Sequence, residues 1–294
     1  MINLLESEHT HSNKKKLFPI IVQCGVGGTG SNLSQQLAQM LTMFKQNAYY
    51  LLADPDHIEQ KNINNQLFTA STVGKKKAEV LAKRYAAAYN LNIHSFTEGF
   101  VEDTNTLLSL YNTNYIDIPG DNYDTMILPI LIGCVDNNYS RRVFHEFFEK
   151  SPTILYIDAG NESTTIPADF LQRPKDKWTY SEVEAYNESG WTGQVVAGLK
   201  IKGKTILEPV ATRFPDIMEE DPDEIKPSEL SCQELVASEP QRLGVNKMAA
   251  MGISLYLSEL FECGTLSNSM TVFHAKRGYM QSEKIKFKED EMDV

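Results

Sequence analysis

The sequence predicts an α/β protein: a Rossmann-like, mostly parallel sheet with helices on both faces, extended by strands from the C-terminal part. Two observations carry the prediction. Strand-length apolar runs alternate with helical stretches through the first half of the chain, an order that yields a parallel sheet covered on both faces. The first of those runs also passes through a cluster of glycines straight into a helix start, "IVQCGVGGTGSNL". The chain has 294 residues, 41% of them hydrophobic and 23% charged, enough to bury one large core.

The elements can be justified in order. Residues 1–16 are polar and read as a flexible N-terminal arm, with residues 17–294 forming a single domain. "LFPIIVQC" is a buried strand, and "SNLSQQLAQMLTMF" keeps helical apolar spacing after the glycine turn. "AYYLLAD" is a second buried strand, ending in an acid; "GKKKAEVLAKRYAAAYN" is strongly helical, and "LNIHSFTEGF" is a third strand. "MILPILIGCVD" gives a fourth strand, "NYSRRVFHEFFEKS" a helix and "TILYIDAGN" a fifth strand. The pattern then changes. The polar stretch near 162–192, with Pro167, Pro174, Trp178 and Trp191, reads as an insertion or long loop. "GQVVAGLKI" returns as a strand, and an acidic, proline-containing loop fills the region near 216–231. "NKMAAMGISLYLSELFE" is an amphipathic helix, and "SMTVFHAKRGYMQSEKI" a terminal hairpin.

Composition limits the function classes. A net charge of −11 argues against a broad nucleic-acid footprint, and no apolar run is long enough to span a bilayer. Neither nucleic acid nor membrane is an expected partner. The N-terminal lysines follow a polar tail and directly precede a strand, the wrong order for an export signal. The four cysteines, Cys24, Cys134, Cys232 and Cys263, are widely spaced and form no C-x-x-C pair. That spacing argues against a cysteine-based zinc site, and the low cysteine usage suits a cytoplasmic setting. The six histidines stand at no metal-ligand spacing with acids.

Gly25, Gly27, Gly28 and Gly30 remove the Cβ atoms that would hold a phosphate away from backbone amides at a helix N-terminus. Asp54 closes the second strand at roughly the 20-residue separation from which an acid grips ribose hydroxyls. Up to this point the pattern serves a dinucleotide as well as a nucleoside triphosphate, and an NAD-dependent oxidoreductase stays open. A glycine turn can also do no more than let a helix pack closely.

The next segments break the tie. After the glycine turn come Asp54–Asp56 as D-x-D, Asn62–Gln66 as N-x-N-x-Q, Val73–Lys77 as V-G-x-x-K and Cys134–Asn137 as C-x-D-N. In that order, over residues 18–162, the chain resembles the adenylating domain of the ubiquitin-activating-like family, which includes the ThiF and MoeB sulfur-carrier activators. "TGQVVAG", "FPDIMEEDPDEIKPSELSCQE" and "EPQRLGVNKMAA" resemble the C-terminal half of the ThiF-family proteins of PRTRC cassettes, from which the insertion departs.

The resemblance implies ATP- and Mg²⁺-dependent adenylation of the C-terminal carboxylate of a small ubiquitin-like protein ending in glycine, by a homodimer. It implies that Gly27, Gly28 and Gly30 receive the phosphates, Asp54 the ribose, and Asn62 and Gln66 neutral nucleotide contacts. Lys77 supplies a point charge and Asp136 holds the metal. Each has a plainer alternative: Asp54 and Asp56 as a strand end and turn, Lys77 as a solvated helix face, Asp136 as a helix cap. Arg141 or Arg142 can reach pyrophosphate, an exposed helix face being the default. Cys232, after the acidic loop, is a candidate thioester nucleophile or a cysteine packed beneath a loop. Cys24 and Cys134 read as core residues, and Cys263 as structural.

One departure bears on activity. Between Asn64 and Gln66 the family places arginine; here Asn65 stands, a side chain without charge. Lys61, Lys75 and the N-terminal lysines Lys14, Lys15 and Lys16 are the available replacements. A catalytically weakened scaffold that binds nucleotide or a ubiquitin-like partner is therefore the main alternative. An oxidoreductase fares worse, because Lys77 and Asp136 then have no task.

Overall fold

The computed structural model describes residues 1–6, 16–114, 125–170, 172–219, 226–229 and 241–286. In chain order the elements are β1 (Ile2–Asn3), β2 (Lys16–Cys24), α1 (Gly28–Met43), β3 (Tyr49–Ala53), α2 (Lys77–Tyr89) and β4 (Ile93–Phe96). Next come α3 (Thr104–Leu110), β5 (Thr125–Gly133), α4 (Asn138–Lys150), β6 (Ile154–Asn161), α5 (Tyr180–Glu188), β7 (Thr192–Ile201) and β8 (Lys204–Leu207). The last are α6 (Val210–Arg213), α7 (Leu243–Cys263), β9 (Thr265–Leu266), β10 (Asn268–His274) and β11 (Tyr279–Lys284).

The main sheet runs β11-β10-β7-β6-β5-β2-β3-β4, with β8 paired to β7. β2 to β6 pair in parallel and β7, β8, β10 and β11 antiparallel, so the expected mostly parallel sheet with a C-terminal extension is what forms. β2 is central and buried along nearly its whole length, which is why "LFPIIVQC" reads as a continuous apolar run rather than an alternation. From β2 the chain moves outward to β3 and β4, then returns to place β5 on the opposite side of β2. That reversal leaves a crevice beyond the C-terminal ends of β2 and β5, the place where open α/β sheets take ligands.

Two apolar layers flank the sheet. Leu33, Leu37, Leu81, Ile253 and Leu257 belong to one; Leu107, Phe144, Phe147 and Val210 belong to the other. α7 packs on α1, β6 and β7, and Gly252 lets it lie close to the strand: an added Cβ would sit 2.8 Å from Val195 Cγ2. α2 ends at Asn90, and α7 at Gly264, each in the left-handed conformation that closes a helix.

Two regions differ from the sequence expectation. The first residues are not a loose arm: β1 pairs with β9, and Leu5 lies against Gly264, where any Cβ would clash with it. Two apolar side chains, Leu4 and Leu5, pack this segment against the core; residues 7–15 lie outside the described residues. The polar stretch 162–192 is also more than a loop. It contains α5, started by a capping box in which Thr179 and Glu182 satisfy each other's backbone amides. Arg173, bonded to both Asp169 (2.8 Å) and Glu182, ties the insertion together.

Candidate functional site

A cleft of about 1600 Å³ opens at the C-terminal ends of the parallel strands. Gly25, Gly27, Gly28, Asp54, Asp56, Asn62, Gln66, Lys77 and Asp136 all line it, although they are spread over more than a hundred positions of sequence. The strand ends explain the convergence: the Gly25 amide bonds Ala53 O (2.9 Å) and the Cys134 amide bonds Cys24 O (2.9 Å), so the turns after β2, β3 and β5 form one rim.

The glycines divide by task. Gly25 has φ +88° and a Cβ there would meet Cys134 O at 2.5 Å, so the turn requires glycine twice over. Gly27 has open space; an added Cβ would find only Gln66 Nε2, at 3.9 Å. Gly30 does not line the cleft. It lies beneath the turn, where a Cβ would meet Gly25 O at 2.0 Å, so it serves the close packing of α1 on its own strand. Gln23, which belongs to none of the motifs, holds both ends of this turn: Nε2 donates to Gly25 O (3.2 Å) and Gly30 O (2.9 Å). Tyr50 OH donates to Gln23 Oε1 at 2.7 Å. A glutamine in an otherwise apolar strand was the signal.

Asp54 is buried and faces inward to the turn: its two oxygens accept the amides of Val26 (2.8 Å) and Asp56 (2.9 Å). Burial pushes its carboxyl up to about 6, against the pull of Lys77 and the two amides. Lys77 is the first residue of α2, and its ammonium bonds Asp56 Oδ2 at 2.8 Å. Only 9% of its side chain is exposed, so it is not a solvated face of the lysine run. Burial works against its charge, but Asp54 and Asp56 outweigh that and hold its pKa above the ordinary lysine range. Asn62 fixes the neighbouring turn by accepting the Glu59 amide at 2.7 Å. Gln66 Oε1 is buried with no hydrogen-bond partner among the described residues, an orphan acceptor in the cleft wall.

The cap of α4 is Asn137, whose side chain accepts the Ser140 amide at 2.8 Å; Asp136 is exposed to the cleft and does not serve as cap. Arg141 corrects the exposed-face expectation: its Nε donates to buried Asp158 Oδ1 at 2.9 Å and Nη2 to Val135 O at 2.8 Å. Burial opposes its charge, Asp158 restores it, and the guanidinium pins the turn that carries Asp136. Arg142 donates to Ile217 O (3.1 Å) and Glu219 O (3.2 Å).

Asn65 reaches α7 rather than standing alone. Its Nδ2 donates to Gln241 O (3.0 Å) and its Oδ1 accepts Asn246 Nδ2 (3.3 Å). Asn246 Oδ1 in turn accepts Asn161 Nδ2 at 2.9 Å, and a Cβ on Gly28 would strike Asn246 Nδ2 at 2.1 Å. This part of the cleft wall is therefore a neutral amide network, and Trp191, Tyr186 and Arg242 line the same cleft. Cys24 and Cys134 are buried and half-buried, and burial pushes both thiols up, which suits core residues and not nucleophiles. Cys263 is exposed at the end of α7, not packed. Cys232 lies outside the described residues.

A glycine turn at the reversal of a mostly parallel sheet defines the class: a Rossmann-like α/β protein with its cleft at the topological switch point. Within that class the chain belongs to the ThiF family, which its residues 10–165 match. By sequence no curated protein matches it. Among solved structures, PaaA is similar at 17% identity and TM-score 0.51, over 90% of this chain and 64% of that one. E. coli MccB with ATP is similar at 17% identity and TM-score 0.51, over 90% and 63%. E. coli MccB with AMPCPP and MccA is similar at 15% identity and TM-score 0.53, over 92% and 64%. The chain thus spans less than two thirds of the length of these neighbours, and at such identities the likeness is one of fold.

Proposed function

We propose that the protein uses ATP and Mg²⁺ to adenylate the C-terminal carboxylate of a small protein or peptide. The observation that carries this reading is the cleft itself. It joins an amide-lined glycine turn, a buried ammonium and the exposed carboxylate of Asp136, in a volume of about 1600 Å³. Pockets for one small ligand are typically 300–1,000 Å³, so a nucleotide leaves room for a second substrate.

In this reading the turn at Gly27 and Gly28 receives phosphate oxygens on backbone amides, and Lys77 faces them as a fixed charge kept ionised by its acidic neighbours. Gln66 Oε1 is an acceptor in want of a donor, which an adenine amino group or a ribose hydroxyl provides. Asp54 shapes the turn through Val26 and retains lone pairs for the ribose. Among the described residues no three or more His, Cys, Asp or Glu stand together as metal ligands. That agrees with a Mg²⁺ held by Asp136 and by the phosphates, since this cation takes one or two carboxylates plus substrate oxygens. Bound there, the cation would offset phosphate charge; the acceptor carboxylate oxygen bonds the α-phosphorus as the bond from that phosphorus to the pyrophosphate oxygen breaks and pyrophosphate leaves.

The MccB structure that holds AMPCPP together with MccA supports a second substrate in a fold of this kind. The finer reading is a ubiquitin-like protein with C-terminal glycine, in the cytoplasm, with transfer to Cys232 as a second step and a place among the ThiF-family proteins of PRTRC cassettes. Pairing of two copies, as a homodimer, is supported by the exposed Met251 and Leu255, one turn apart on α7. The test is pyrophosphate release from ATP and Mg²⁺ with a glycine-ending ubiquitin-like protein and with its C-terminally amidated form. Release with the free acid alone supports the reading; nucleotide binding without release supports the scaffold alternative. Lys77→Ala lowers release by about 10²–10³-fold on this account.

A further inference from the structure

Four cations line the cleft among the described residues: Lys61, Lys77, Arg141 and Arg242. Three have a carboxylate partner: Lys61 with Glu59 at 3.3 Å, Lys77 with Asp56 at 2.8 Å and Arg141 with Asp158 at 2.9 Å. Arg242 has none within ion-pair distance among the described residues. Glu188, close enough to feel its charge, is paired instead with Lys276 at 2.7 Å.

Arg242 is nevertheless held in place. Its guanidinium carbon lies 3.8 Å from the Trp191 ring centre and 4.8 Å from that of Tyr186. Its Nε donates to Ser189 O at 3.0 Å and Nη2 to Tyr186 O. Aromatic faces and carbonyl oxygens orient a guanidinium without neutralising it. All these partners belong to the insertion or its edge. Arg242 also caps the N-terminus of α7, one turn before Asn246, and Asn246 lies against Gly28. An immobilised cation with no carboxylate partner among the described residues therefore stands on the wall that packs over the glycine turn through Asn246, beside the neutral Asn65.

We propose that Arg242, clamped by Trp191 and Tyr186, is a subsite for an oxyanion: the nucleotide phosphates or the terminal carboxylate of the acceptor. The inference rests on the reading of the cleft given above. It assigns the insertion a task, since the insertion holds the charge that Asn65 does not carry. A guanidinium fork suits both groups because their oxygens are spaced alike.

The test compares the unaltered protein with Arg242→Gln by calorimetry. The probes are MgATP against adenosine, and a glycine-ending pentapeptide acid against its amide. The expected result is a loss of ~10-fold or more for MgATP or for the peptide acid, with the neutral probe of that pair unchanged. Which pair responds identifies the source of the oxyanion. Equal binding of both charged probes by a folded Arg242→Gln overturns the proposal and leaves Arg242 a clamp for the insertion. If the unaltered protein binds neither ATP nor peptide, the adenylation reading fails separately. Inorganic pyrophosphate then tests the subsite: loss on substitution supports it, no change or no binding refutes it. Should Arg242→Gln not fold, tryptophan emission of the intact chain decides. Pyrophosphate shifts it through Trp191, and the shift vanishes in Trp191→Phe; emission indifferent to pyrophosphate refutes the subsite.

Discussion

Single residues in the glycine turn separate packing from binding. Gly30→Ala drives a Cβ into backbone at 2.0 Å, whereas Gly28→Ala meets the movable end of Asn246. Gly30→Ala should therefore be the more destabilising in denaturant unfolding, by about 1–3 kcal/mol or more. Gly28→Ala should keep most of the stability and lose nucleotide affinity, because it displaces Asn246 from Asn65 and Asn161. The opposite ranking contradicts the division of tasks. Asp54 gives a pH test. Its carboxyl titrates near 6 in the folded chain, above the ordinary carboxylate range, so its contribution to stability is complete below that range. The contribution is lost as pH rises through about 6, and Asp54→Asn should flatten the stability profile between about pH 4 and 6. The sequence made Gly25 and Asp54 legible as a site, because turn glycines and a strand-end acid have local signatures. It hid the inward aim of Asp54 and the place of Gly30, which depend on contacts with another turn.

At the scale of elements, the turn after β5 is the most dependent on a buried pair. Arg141 and Asp158 join α4 to β6 and, through Val135 O, fix the approach to Asp136. Tyr156 OH donates to the remaining Asp158 oxygen at 2.9 Å. Arg141→Met leaves Asp158 buried without its partner and should cost about 3–5 kcal/mol in denaturant unfolding. A loss below about 1 kcal/mol would contradict the pair's structural role. The helix "NYSRRVFHEFFEKS" was readable from its apolar spacing, but the cap falls on Asn137, one residue beyond the Asp136 that the sequence offers for it, because both side chains have capping chemistry. Which of two adjacent arginines turns inward was not readable, since β6 supplies the deciding carboxylate from a different part of the chain. α5 is hard to see in the sequence for another reason: the helix is short and polar, and its Thr179–Glu182 capping box stands amid prolines and tryptophans.

For the whole molecule, the order of strands decides where function sits. The alternation of apolar runs and helices fixed a parallel sheet in advance, and the reversal between β2 and β5 then placed the crevice. What no run of sequence displays is the second wall, where α7 and the insertion come back over the turn through Asn246, Trp191 and Arg242. A ligand that fills both walls stabilises the fold by mass action, so saturating MgATP should raise the melting temperature, and Lys77→Ala should weaken the rise. The most direct test of the central claim is a calorimetric titration of the folded chain with MgATP. The account predicts saturable binding at one site per chain, weakened by at least ~10-fold in Lys77→Ala. Heat indistinguishable from dilution, in protein shown by unfolding to be native, would contradict it.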